Sequence, residues 1–97
     1  MSYTVYVMFD KDRPRKDRYT GMTSMLLEKR FQRRLTAAKG GTRNEPANEW
    51  INEIGEDRVG IRAIAVCANK ADAAGVEQKH IATRTHISKG GLNKRLK

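Results

Sequence analysis

Residues 10–18 read Asp10-Lys11-Asp12-Arg13-Pro14-Arg15-Lys16-Asp17-Arg18, eight charges and a proline in nine positions. Such a stretch has no apolar face to bury and lacks a backbone donor at its centre, so it cannot form the interior of a strand or helix. It therefore divides the start of the chain. Residues 3–9 before it are β-branched and aromatic and are predicted to form a strand; residues 18–23 after it form a short second one. The two are expected to pair as a hairpin across a long basic loop.

The rest of the chain is punctuated by caps and breakers. Ser24 is a candidate helix N-cap. Leu27, Phe31, Leu35 and Ala38 recur at the spacing of an amphipathic helix, which Gly40 and Gly41 close. Asn44-Glu45-Pro46 opens a second helix, with Trp50, Ile51 and Ile54 as its apolar core face and Gly55 as its stop. Residues 61–68 are almost continuously apolar and too few for a typical helix, which predicts a buried central strand. Cys67 within it reads as a small buried hydrophobe. Asn69 caps a third helix over 70–85. The order β-β-α-α-β-α predicts one α+β domain over 1–97: a small, mostly antiparallel three-stranded sheet flanked by helices, with a basic loop at 10–18 and a basic tail at 86–97.

Charge narrows the partners. Twenty Lys and Arg against eleven Asp and Glu leave +9 on 97 residues. That balance points to nucleic acid, an anionic membrane surface or an acidic protein. No apolar run approaches the roughly 18 residues that span a bilayer, and the first residues lack the pattern of a secretory leader. The single cysteine permits no internal disulfide and no cysteine-based zinc cluster. A reducing cytoplasm is the expected setting.

Two charged groups fall on core-facing stripes. On the first helix Arg34 lies inside the apolar stripe and Arg30 on its edge; on the third, Glu77 lies among Ala73, Val76 and Ile81. Buried charges are costly unless paired or used. Two readings stay open on the pattern alone: a structural ion pair at the core edge, or a site facing a phosphodiester, with arginine on the phosphate and glutamate on a metal.

Tyr3-Thr4-Val5-Tyr6-Val7, then Tyr19-Thr20-Gly21-Met22-Thr23-Ser24, then Leu27-Glu28-Lys29-Arg30-Phe31 resemble the N-terminal half of a GIY-YIG nuclease domain. Val76-Glu77-Gln78-Lys79-His80-Ile81 resembles that family's glutamate helix, and Leu92-Asn93-Lys94 its asparagine segment. The ordered set of Tyr, Tyr-x-Gly, Arg, Glu and Asn spans nearly the whole chain. Thr4 stands where the family has Gly, and Arg34 where many members have His.

The resemblance implies a Mg²⁺-dependent DNA endonuclease or nickase of a phage or mobile element, acting in the cytoplasm of a bacterial host cell, with Mn²⁺ able to substitute. Glu77 would hold the single metal ion, Arg30 would clamp the scissile phosphate, Tyr6 would act near the attacking water as base or positioning group, and Tyr19 would orient water or phosphate. Asn93 would support the local backbone. The products implied carry 5′-phosphate and 3′-hydroxyl. His80, one turn from Glu77, is a cleft-edge or core histidine able to aid proton transfer. Lys11, Arg13 and Arg15 on the loop, Arg34, Lys39 and Arg43 around the first helix, and Lys94 in the tail are candidate phosphate contacts for DNA, with no membrane partner expected. Two other classes stay open: a catalytically inactive basic nucleic-acid-binding module, and a subunit that docks on an acidic protein.

Overall fold

A computed structural model describes residues 2–40, 46–86 and 91–93. It has the expected element order: β1 (Tyr3–Asp10), β2 (Asp17–Thr23), α1 (Leu27–Lys39), α2 (Pro46–Ile54), a 3₁₀ turn (Glu56–Arg58), β3 (Val59–Cys67) and α3 (Lys70–His80). A π-helical turn, Ile81–Thr85, extends α3. The fold is a small α+β arrangement around one antiparallel sheet of order β2-β1-β3.

The central strand is β1, because both of its faces are apolar. Val5, Tyr6, Val7 and Met8 are all fully buried. Tyr6 and Met8 face α1 and α2, in a core with Leu35, Ala38, Ala47, Trp50, Ile51, Val59 and Leu92. Val5 and Val7 alternate to the other face, where α3 packs across all three strands. Trp50 is a core residue, as its sequence context predicts.

Four expectations are corrected. Residues 61–68 do not form the central strand; β3 is an edge strand, with Arg62 and Ala63 open to solvent and Val66 67% exposed. Alanine and arginine at alternate positions leave that strand too little bulk to be covered on both faces. Cys67 is half-buried for the same reason. Ser24 does not cap α1: the N-cap position is Leu26, with no side-chain cap, and the Thr23 hydroxyl instead accepts from the Met25 N–H at 3.0 Å. The third helix is regular only to His80. Thr83 donates its hydroxyl to the Lys79 carbonyl at 2.9 Å, a competing bond of the kind that bends helices.

Asn69 does cap α3, accepting from the Asp72 N–H at 2.9 Å. Gly55 ends α2 with φ of 86°, a conformation that favours glycine. Among the described residues, no helix is long and apolar enough to cross a membrane.

Candidate functional site

The hairpin sets the first part of the site. Tyr6 pairs with Gly21 and Met8 with Tyr19, and the register slips between Met8 and Phe9, which pairs with Asp17. Arg18 is the extra residue of this bulge. Paired residues share a face, so Tyr6, Gly21 and Tyr19 lie on the α1–α2 side of the sheet. Gly21 is required by close approach: a Cβ there would stand 2.5 Å from the Tyr6 hydroxyl and 2.6 Å from Cζ of its ring. The second motif is thus explained by packing, since the glycine makes room for the phenol of the first.

Helix α1 brings the cations. Arg30 and Arg34 are one turn apart and share a face. Arg30 donates from Nε to the Tyr6 hydroxyl in a long hydrogen bond of 3.3 Å. Its pKa is raised, first by that bond, against the opposing cost of burial. Arg34 lies over the Tyr19 ring, its Cζ 4.8 Å from the centroid, a cation–π contact. Two of its donors, Nε and Nη2, are buried without a hydrogen-bond partner. Leaving a buried charged donor unsatisfied is costly, so these atoms are poised for an acceptor. A groove of about 500 Å³ runs beside them, with Arg30, Arg33, Arg34 and Gln32 in its wall.

Tyr19 reports the electrostatics of this corner. Burial pushes its pKa up; Arg34 and Arg30 pull it down, while Tyr6 and Glu77 add to the rise. Four other residues singled out in the sequence thus act electrostatically on Tyr19; Glu77, the weakest of them, comes from the helix on the other face of the sheet. Burial keeps Tyr19 a neutral phenol, which makes it a hydrogen-bond donor rather than a base.

Asn93 lies on the outer edge of β2. Its Oδ1 accepts from the Thr20 N–H at 2.8 Å, and its Nδ2 donates to the Thr20 carbonyl at 2.9 Å. The side chain thus pairs with the strand as a neighbouring strand would. The Leu92 N–H donates to the Arg18 carbonyl at 2.7 Å, and the Asn93 N–H to Thr85 at 2.9 Å. The Thr20 and Thr85 hydroxyls close the contact at 2.7 Å. Asn93 holds the backbone between Tyr19 and Gly21.

His80 is engaged elsewhere. Its Nε2 lies 2.9 Å from Oδ2 of Asp17, whose other oxygen accepts from Arg62 Nη2 at 2.7 Å. The Asp17 side chain is only 2% exposed. This cluster ties β2, β3 and α3 together, and sequence reasoning missed it: Asp17 read as one more loop charge, with no local signal linking it to residues 45 and 63 positions away. The remaining cations are scattered. Lys11, Arg13 and Arg15 are exposed on the hairpin loop. Lys39 pairs with Glu56 at 2.9 Å on the surface. Arg43 and Lys94 lie outside the described residues.

Among the described residues, no three His, Cys, Asp or Glu side chains gather as a metal cage. Glu77, half-buried on α3, is the one carboxylate among the candidate site residues. That suits a hard divalent ion that keeps most of its water and takes one carboxylate plus substrate phosphate, as Mg²⁺ does, and does not suit a structural zinc. Comparison of the chain with protein families, with curated proteins and with solved structures gives no match.

Proposed function

We propose that the chain is a metal-dependent phosphodiester hydrolase that nicks or cuts DNA, of the kind the GIY-YIG resemblance implies. One observation carries the reading. Tyr6, Tyr19, Arg30 and Arg34 meet at one corner within the field of Glu77, and two buried Arg34 donors have no partner there. A tetrahedral anion supplies the missing acceptors.

Arg30 and Arg34 bind the scissile phosphate and offset the charge that grows on it in the transition state. Arg30 also orients the Tyr6 phenol by its bond to the hydroxyl oxygen. Tyr6 in turn positions the water that attacks phosphorus. Tyr19, kept protonated by burial, donates to a phosphate oxygen or to that water. Glu77 would hold the divalent ion. When bound, Mg²⁺ or Mn²⁺ would supply Lewis acidity that eases departure of the 3′ oxygen. The water oxygen bonds to phosphorus as the P–O3′ bond breaks; the water gives up a proton to solvent and the leaving oxygen takes one from solvent, so the products carry a 5′-phosphate and a 3′-hydroxyl. Arg34 in the place of a histidine strengthens phosphate binding and removes a titrating group from proton transfer.

The test is a supercoiled-plasmid assay at low salt with Mg²⁺, comparing the wild-type chain with Glu77→Gln. The wild type is expected to convert plasmid to nicked or linear form. The variant is expected to bind with equal or greater affinity and to leave it intact. If neither protein cuts and both retard the plasmid, the chain is a basic nucleic-acid-binding module and the hydrolase reading fails.

A further inference from the structure

A second cavity, of about 230 Å³, lies at the loop end of the sheet and shares no lining residue with the α1 groove. Its walls come from the hairpin loop, α2 and the 3₁₀ turn. Asp10 on its rim is already matched by Arg58, with Nη2–Oδ2 at 2.6 Å and Nε–Oδ1 at 3.3 Å, and Arg58 reaches Asp12 as well. That leaves Arg13, Lys16 and Arg18 facing the one carboxylate of Glu53, a local excess of positive charge. Arg18 is aimed here by the β2 bulge. Its guanidinium stacks over the Trp50 ring, with Cζ 5.8 Å from the centroid. Its Nε is buried with no hydrogen-bond partner.

We propose that this cavity is a second anion site, built to take a phosphate group of the bound nucleic-acid strand outside the cleavage corner. The volume admits a phosphate with several waters, each of which takes about 30 Å³. Arg18 stacks on Trp50 of α2 and Tyr19 lies under Arg34 of α1, so the cavity and the α1 groove open on the same side of the sheet. The site needs neither Glu77 nor a metal, so it goes beyond the hydrolase reading and stands or falls separately.

Trp50 lines the cavity and is the only tryptophan in the chain, so its fluorescence reports occupancy. The experiment titrates the full chain, in EDTA, with a short single-stranded deoxyoligonucleotide and, separately, with inorganic phosphate. A saturable Trp50 response is expected with the oligonucleotide. A response to phosphate at concentrations where the oligonucleotide gives none also supports the anion site but assigns it to a free phosphate. Arg18→Gln should abolish the response. Arg13→Gln with Lys16→Gln changes only exposed side chains and keeps the fold. That pair should lower the slope of log affinity for the oligonucleotide against log salt by about 1.4, about 0.7 per lost charge. The proposal is overturned if Trp50 responds saturably to neither ligand, or if the response and salt slope survive in the Arg13/Lys16 variant.

Discussion

Asn93→Ala separates a structural asparagine from a chemical one. The side chain makes two hydrogen bonds, at 2.8 and 2.9 Å, to the backbone of Thr20, a residue 1% exposed. Alanine leaves one buried N–H and one buried carbonyl without partners. Each orphaned group costs about 1–3 kcal/mol, so the pair costs about 2–6 kcal/mol. A domain of this size has about 5–15 kcal/mol in total, and loses about 4–8 °C in Tm per kcal/mol. The expected result is a fall in Tm of about 10 °C or more, with urea unfolding followed by far-UV circular dichroism showing a lower midpoint at unchanged slope. Asn93→Asp should not rescue it at pH 7: the carboxylate can accept from the Thr20 N–H but faces the Thr20 carbonyl with no donor. The fold reasoning is refuted if Asn93→Ala stays within 0.5 kcal/mol of wild type. Full stability with lost cleavage would place Asn93 in the chemistry and not on the strand edge.

Three further outcomes follow from the same geometry. Gly21→Ala drives a methyl group to 2.5 Å from the Tyr6 hydroxyl, which should cost about 1–3 kcal/mol in urea unfolding and reduce plasmid nicking more than binding. Tyr19 is held neutral by burial, so its contribution to stability is present below pH 10.0 and lost as pH rises through its higher folded value. Ultraviolet titration should show Tyr19 ionising above its ordinary value of 10.0, and Arg34→Leu should delay it further. The Asp12 N–H, and next the Arg58 guanidinium, hold Asp10 below its ordinary value of 3.8. The stability this contributes is present above that value and lost as pH falls through the lower folded one, so Asp10→Asn should flatten the acid limb of a stability–pH profile.

Local signals in this chain carry the element list. The charged, proline-containing stretch at 10–18 breaks β1 from β2, Asn69 caps α3, and Gly55 ends α2 in the left-handed region. Each depends on residues within a few positions of one another, and short-range sterics and hydrogen bonding decide them. The spacing of Arg30 and Arg34 likewise places both on one helix face before any tertiary contact is known.

Tertiary structure decided what long-range pairing alone can decide. The apolar run at 61–68 reads as central, yet β1 takes the centre because Val5, Tyr6, Val7 and Met8 can be buried on both faces and Arg62 cannot. Asp17 looks like a loop charge until His80 and Arg62 close on it across the sheet. Asn93 reads as a tail residue until it is seen pairing with the edge of β2, 73 residues away. The bulge at Arg18 breaks the alternation along β2: Asp17 faces α3, while Arg18 stays on the side of its neighbour Tyr19, toward Trp50. Periodicity assigns a residue to a face of its own element. Which element covers that face, and which distant donor meets which acceptor there, depends on the packing of the whole chain.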